Sequence, residues 1–358
     1  MTRFLRKIDL LIFLPALLLS SVGLLMIYST SYESDSSFFF RQGFYILLSV
    51  IIYIVISNLD FKTVSHFAIP LYVFLIIVLV MTLAVGSETR GSARWLNLGF
   101  ANLQAAELAK PILVLALSSF FARYPPNSLK NFFLSTLVPT APVILIALQP
   151  NLSNSFILSC LWVFMVFIAG ANLLYLMATV GGFLLSVPFI WSFLLASYQK
   201  TRITAFFNPK LDPQGASYNT VQALIAFGSG QLTGVGFGRG TQSHLDFLPE
   251  GRTDFILAAA GEELGFIGVG LIVMLFTFLI YQILGVAKAI KGAEGSLFAY
   301  GCAFIIILQF FINAGMNMGI FPVSGVTLPF VSFGGSSMIS MFILIGLLQS
   351  AKKAVKEV

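Results

Sequence analysis

Charge is what this chain has least of. Only 9% of its 358 residues are Asp, Glu, Lys or Arg, against 58% hydrophobic, and the mean hydropathy is +0.95. A soluble domain carries roughly a quarter of its residues charged, so that class is excluded and a polytopic membrane protein is indicated. Cysteine is almost absent as well. Cys160 and Cys302 both fall in apolar runs, and imply neither a disulfide framework nor a metal site. The chain also lacks internal repeats and low-complexity segments. A net charge of +6 would point a soluble protein toward acidic partners. Here it reports orientation in the bilayer, and no nucleic acid is expected.

What the chain does have is apolar runs of membrane length. The first, Leu10 to Tyr28, follows Arg3, Arg6 and Lys7 and lacks a small-residue cleavage site, so it reads as a retained helix rather than a signal peptide. Further spans are expected at about 43–58, 66–85, 107–122, 132–148, 154–171, 173–196, 256–284, 297–320 and 334–351. The expected fold is therefore an all-α polytopic membrane protein of about ten helices, a single integral domain over 1–358. Lys62, Arg123, Lys130, Lys288, Lys291, Lys352, Lys353 and Lys356 join the N-terminal cations on one side, whereas the short loops opposite hold Arg41, Arg90 and Arg94. By the positive-inside rule both termini are cytoplasmic. The long polar segment 197–253, between the seventh and eighth helices, is then extracytoplasmic.

Four polar clusters fall on that outer side, around one carboxylate. Leu248-Pro249-Glu250-Gly251-Arg252-Thr253-Asp254 leads into an apolar run carrying Glu262 and Glu263. Thr253 is expected to cap that helix, with Asp254 in its first turn, where the helix dipole favours an ionised carboxylate. A continuous helix from Asp254 to Leu284 would measure about 46 Å against a hydrocarbon core of about 30 Å, with Glu262 and Glu263 about 12 Å below Asp254. Upstream, Arg94-Trp95 precedes Gln104, Glu107 and Lys110, which share a helical face and can form an ion pair. Trp95 on its own reads as an interfacial belt residue rather than a ligand contact. Gln149-Pro150-Asn151 reads as a tight turn. Arg202, Gln222 and a glycine run from Gly228 to Gly240 follow. That run lacks the lysine-serine/threonine ending of a nucleotide loop. Its glycines predict close backbone approach to another loop or ligand, and mobility until a partner orders it. Finally, Pro322 to Ser337 holds two prolines and three glycines that no regular helix tolerates at membrane depth.

These motifs together resemble the RodA/FtsW/SpoVE (SEDS) family over nearly the whole chain. The similar elements are Arg94-Trp95-x-x-Leu98-Gly99 with Gln104, Glu107 and Lys110; Gln149-Pro150; Gly228-Ser229-Gly230; Phe247-Leu248-Pro249-Glu250-x-x-Thr253-Asp254-Phe255-Ile256 with Glu262-Glu263-x-Gly265; and Leu328-Pro329-Phe330-x-Ser332-x-Gly334-Gly335-Ser336-Ser337. Gly240-Thr241-Gln242-Ser243 with Leu245 is more like the elongation (RodA) branch. Ala105-Ala106, Asn151 and Phe333 depart from the usual pattern. The resemblance implies a peptidoglycan glycosyltransferase in the bacterial cytoplasmic membrane. It would polymerise lipid II at the outer face for cell elongation and shape, beside a class B penicillin-binding protein and other elongation-complex membrane proteins.

Inverting attack of a sugar hydroxyl, with undecaprenyl pyrophosphate leaving, needs a carboxylate base and cations for the diphosphate. On that reading Asp254 is the base. Arg94, Trp95, Gln104, Glu107, Lys110, Arg202, Gln222, Glu250, Glu262, Ser332, Gly334, Gly335 and Ser336 are substrate contacts. A divalent cation, magnesium or manganese, would assist the diphosphate. The rival reading is a flippase for lipid-linked precursor, which would carry polar groups through to the inner side.

Overall fold

The computed structural model describes residues 8–31, 35–89, 92–97, 102–208, 215, 217–245 and 247–356. Arg3, Arg6, Lys7, Arg90, Leu98 and Gly99, invoked above, lie outside them. The first half of the bundle is α1 (Leu10–Ser31), α2 (Ser37–Ser57), the short α3 (Phe61–His66), α4 (Ala68–Val85), α5 (Ala105–Arg123), α6 (Leu129–Leu148) and α7 (Leu152–Ile168). An antiparallel sheet of β1 (Ser87–Thr89), β2 (Ser92–Asn97) and β3 (Asn102–Leu103) separates α4 from α5. Then come α8 (Leu173–Phe189), which runs into a π-helical turn, α9 (Ser197–Phe207), α10 (Tyr218–Ser229) and the one-turn α11 (Thr241–His244). The chain closes with α12 (Ile256–Ala289), α13 (Ala293–Asn317) and α14 (Gly335–Lys356).

Among the described residues nine helices are long and apolar enough to cross a bilayer. The tenth expected span is α7, whose 17 residues reach about 26 Å. An even number of passes returns the chain to the side where it began, and there Lys352 pairs with Asp9. Hydrocarbon offers backbone groups no water, so each pass is helical. Hydroxyls inside the spans are absorbed the same way: Ser20 donates to the Ala16 carbonyl (2.9 Å) and Thr82 to that of Val78 (2.8 Å). The centre is formed by α5 and α14, each 78% buried over its span, while α8 buries no residue at all.

The eighth span departs from expectation. It is not one continuous helix from Asp254 but two pieces joined at Gly265 (φ 65°, ψ −166°), a conformation open only to glycine. From Phe266 to Ala289 it measures about 36 Å, enough to span alone. The piece before the break lies at the outer end. Such a break orphans backbone groups, and the glycine run supplies their partners. Phe266 N–H donates to the Gln231 carbonyl (2.9 Å) and Ile267 N–H to that of Leu232 (3.1 Å). Val235 N–H in turn donates to the Glu262 carbonyl (3.0 Å) and Gly236 N–H to that of Glu263 (3.2 Å). The run does make the close backbone approach expected of it. Its glycines are where they are because it is docked against another backbone.

Two acidic side chains fasten the same loop. Glu262 accepts from Gln242 N–H (2.8 Å), Ser243 N–H (3.1 Å), Ser243 Oγ (2.9 Å) and Thr241 Oγ1 (3.2 Å). Glu263 accepts from Ser29 Oγ, Gly238 N–H (3.1 Å) and His244 Nε2 (3.0 Å). Both are buried.

This packing sets a test. A Cβ on Gly234 (φ 82°) would stand 2.0 Å from the Glu263 carbonyl oxygen, and one on Gly265 would stand 2.2 Å from the Gly234 nitrogen. Gly270, on the same long helix, meets nothing within 4 Å. Gly234→Ala and Gly265→Ala should each destabilise by at least about 2 kcal/mol through steric strain. Gly270→Ala should stay within about 1 kcal/mol of the parent. Thermal unfolding in detergent reads the difference.

Candidate active site at the outer face

Asp254 lies in a turn, two residues ahead of the helix, and is half-buried. The expected cap is corrected here. The N-cap is Phe255, and Thr253 Oγ1 instead donates to Glu250 Oε2 (2.8 Å). Glu250 organises this turn from a left-handed conformation (φ 63°), its carbonyl accepting from Thr253 N–H (3.0 Å) and Phe255 N–H (3.1 Å). With five residues drawn into the turn, the helix starts later than the sequence suggests.

The backbone of Asp254 is held from another helix. Asn313 Nδ2 donates to the Asp254 carbonyl (2.9 Å) and to that of Val326 (2.8 Å). Asn317 Nδ2 donates to the same Asp254 carbonyl (3.0 Å), while its Oδ1 accepts the Ala258 N–H (2.9 Å). Asn317 therefore caps α12 from α13, and both asparagines are fully buried. Sequence reasoning missed them. The available signal was two amides one helical turn apart in an otherwise apolar run.

The broken segment between α13 and α14 wraps this turn. Ser332 Oγ donates to the Thr253 carbonyl (2.6 Å) and accepts from Leu328 N–H (2.8 Å), and Phe333 N–H donates to the Arg252 carbonyl (2.9 Å). Gln42 of α2, also missed, accepts from Gly334 N–H (3.2 Å) and donates to the Ser332 carbonyl (3.3 Å). Gly325 passes close enough that a Cβ there would lie 3.6 Å from Asp254 Oδ2. Gly335 opens α14, and Ser336 accepts from Gln104 N–H (2.9 Å), which is the N-cap of α5. One turn on, Ser340 Oγ donates to the Glu107 carbonyl (2.7 Å). The segment thus ties the Asp254 turn to the face holding Gln104, Glu107 and Lys110.

On that face Lys110 Nζ donates to Glu107 Oε1 at 2.7 Å, with Lys110 fully buried and Glu107 nearly so. Asn154 reaches the same oxygen at 3.5 Å, and among the described residues Glu107 Oε2 has no hydrogen-bond partner. The expected ion pair is therefore present, enclosed and unsaturated.

A second pair of cations gathers around the turn between α6 and α7. Arg94 Nε donates to the Gln149 carbonyl (3.1 Å) and its Nη2 to that of Pro150. Tyr198 OH donates to the Pro150 carbonyl (3.1 Å), and the Arg202 guanidinium lies 5.9 Å from the Tyr198 ring. Burial pushes the Arg94 guanidinium below its ordinary value, with Tyr198 opposing and the nearby Arg202 charge adding to the effect. Asn151, one of the departures noted, caps α7 by accepting from Asn154 N–H (3.3 Å). Trp95 sits in β2 opposite Ser87. Two candidates stand apart. Gln222 lies half-buried in α10 without a hydrogen bond to the others, and Glu262 is occupied by the loop.

An acidic turn, a buried ion pair and two arginines at one end of a bundle of membrane-length helices define a membrane-embedded polar site. The chain belongs to the FtsW/RodA/SpoVE cell cycle protein family, whose profile matches residues 9–357. It is 36% identical over 341 residues to the peptidoglycan glycosyltransferase MrdB of Escherichia coli (strain K12), covering 95% of this chain and 91% of that protein. It is also 36% identical to stage V sporulation protein E of Bacillus subtilis (strain 168) over 361 residues, covering 96% and 97%. Among solved structures, a chain of the work described as "Structural coordination of polymerization and crosslinking by a peptidoglycan synthase complex" superposes with a TM-score of 0.83 at 26% identity. The match covers 98% of this chain and 99% of that one. The rod shape determining protein RodA of Thermus thermophilus gives 0.73 at 26% identity, covering 96% of each.

The enclosed ion pair yields a double-mutant test. Glu107→Gln or Lys110→Met removes one partner and changes the other's environment. Loss of Glu107 leaves an uncompensated buried ammonium, which costs about 3–5 kcal/mol. The swapped variant, Glu107→Lys with Lys110→Glu, should recover most of that loss. Thermal midpoints of the single and swapped proteins check this, and a swap as unstable as Glu107→Gln would deny the coupling.

Proposed function

We propose that this protein is a peptidoglycan glycosyltransferase that polymerises lipid II at the outer face of the bacterial cytoplasmic membrane, working beside a class B penicillin-binding protein. The observation that carries the reading is Asp254. A carboxylate in a turn at membrane depth is costly, yet here its backbone is gripped by two buried asparagines and enclosed by a broken helix connection. Glycosyl transfer from a lipid diphosphate requires a base that takes the acceptor hydroxyl's proton as the oxygen attacks the anomeric carbon. The C–O bond to the diphosphate breaks on the opposite face, so the configuration inverts. Pyrophosphate leaves as a stable anion, so no protonated acid is required and one ionised carboxylate suffices, unlike the paired carboxylates of glycoside hydrolases.

Asp254 serves as the base in this proposal. Arg94 and Arg202, neighbours around the Pro150 turn, serve the departing diphosphate through charge-assisted hydrogen bonds. Lys110 and Glu107 form the polar wall beneath, with Glu107 Oε2 as an acceptor for a substrate hydroxyl. Helix α8, with no buried residue, leaves the bundle open to lipid where a polyprenyl tail can lie. Glu250 and Ser332 act on Asp254 by shaping its turn, and Glu262 acts by anchoring the loop. Among the described residues no three His, Cys, Asp or Glu side chains gather as a metal cage. The described side chains therefore offer no cage of their own for a resident cation.

A flippase would need polar groups along the whole path. The groups tied together here, from the Asp254 turn to Glu107, gather at one end of the helices, which favours the polymerase.

The direct test incubates the purified chain, with and without a class B penicillin-binding protein, with lipid II and resolves glycan strands by gel. Wild type should polymerise, whereas Asp254→Asn should give no polymer while remaining inserted and partner-bound. Near-normal polymer from Asp254→Asn would remove the base assignment and make Glu250 the next candidate. Asn313→Leu, near-isosteric but unable to hold the Asp254 carbonyl, should lower kcat by about a hundredfold, the scale of a misplaced reacting group, with KM little changed. An unchanged kcat would show that the asparagine grip does not position the base.

A further inference from the structure

The cytoplasmic end of the bundle carries a feature that the outer site does not use. Two cavities meet at Tyr72, Phe120 and Val138 and form one groove between α4, α5 and α6. The more enclosed part, about 160 Å³, is lined at its polar end by Ser65, His66 and Arg123. The more open part, about 370 Å³, is walled by Leu134 and Leu137. Tyr72 OH donates to the Val138 carbonyl (2.8 Å) and pins α4 to α6 across the groove. Arg123 belongs to the last turn of α5, while Leu134 and Leu137 lie in the second and third turns of α6. The groove therefore runs from the inner membrane surface into the hydrocarbon.

The charges at its mouth are unequal. Arg123 is exposed and, among the described residues, has neither an ion pair nor a hydrogen bond. Lys62 on α3 and Lys130 on α6 are exposed at the same end. Two acids lie at this end and both are engaged: Glu294 Oε1 accepts from Ser65 Oγ (2.5 Å) and from Ser119 Oγ, and Asp60, the N-cap of α3, accepts from Thr63 N–H (3.1 Å) and Thr63 Oγ1 (3.1 Å). His66 Nδ1 donates to the Lys62 carbonyl (2.6 Å).

We propose that this groove seats an anionic glycerophospholipid of the inner leaflet. Its phosphodiester rests on Arg123, in the field of Lys62 and Lys130, and an acyl chain lies along Leu134, Leu137 and Val138. A guanidinium without a protein partner selects a phosphate. Basic pockets between helices at the cytoplasmic side are suited to anionic head groups. The apolar walls assign the occupant to lipid, because a soluble phosphate would leave them uncovered. An arginine that only reaches toward the membrane surface needs no groove beneath it. This site is independent of the polymerase reading, and each can fail without the other.

Native mass spectrometry of the intact purified chain tests it, using phosphatidylglycerol and phosphatidylcholine with the same acyl chains. At equal lipid concentration wild type should retain phosphatidylglycerol about fivefold over phosphatidylcholine, the worth of one basic side chain at an anionic head group. Arg123→Gln should erase that preference, and because Arg123 bonds to nothing its thermal midpoint should not move. Val138→Trp, which fills the slot, should lower retention of both lipids. Arg239→Gln, in the outer loop, should change neither. Equal retention of the two lipids by wild type, or undiminished preference in Arg123→Gln, overturns the head-group seat. Undiminished retention in Val138→Trp overturns the acyl seat.

Discussion

A backbone amide inside a membrane must find a partner in the protein, and the outer half of this molecule is arranged around that requirement. The chain breaks its helices twice near one spot, at Gly265 and between Asn317 and Gly335. Each break exposes groups that lipid cannot satisfy. The first is closed by the docked loop of Gln231–Gly236, amide to carbonyl in both directions. The second is closed by side chains of Asn313, Asn317, Ser332 and Gln42. Asp254 lies beside the second repair, which is why its backbone is held by groups on other helices.

Buried charge is handled by the same economy of partners. Glu262 and Glu263 follow one another in sequence yet serve different segments, one gripping Thr241–Ser243 and the other joining Ser29, Gly238 and His244. Their hydrogen bonds offset desolvation. Glu107 differs, with one oxygen on Lys110 and the other unpartnered. Carboxylates that are fully bonded hold structure, whereas an incompletely bonded buried one retains capacity for a ligand. That contrast separates Glu262 from Glu107, although both stood together as substrate contacts on sequence grounds.

Much of the frame was legible from apolar runs alone. The nine helices long enough to cross a bilayer among the described residues, the shorter α7 and the Glu107–Lys110 pair follow from length and helical spacing. The break at Gly265 was not legible, because a single glycine in an apolar run carries no local signature and its conformation depends on a loop some thirty residues earlier. The Asp254 cap was misplaced for a related reason. Thr253 is a good cap by propensity, but Glu250 in a left-handed turn captured its hydroxyl. Glycine spacing from Gly228 to Gly240 was read as close backbone approach together with looseness, and the approach is there, so close that a Cβ at Gly234 would collide. Asn313 and Asn317 could have been suspected as amides in an apolar helix, but only the fold shows them converging on Asp254.

The central claim is that the outer site is preformed in the single chain by backbone pairing across the Gly265 break. Hydrogen exchange on the isolated protein in lipid nanodiscs measures this most directly, at the amides of Val235, Gly236, Ala258, Phe266 and Ile267. The account predicts that they exchange as slowly as the interior of the spanning helices. Exchange at the rate of an unbonded surface loop would contradict it.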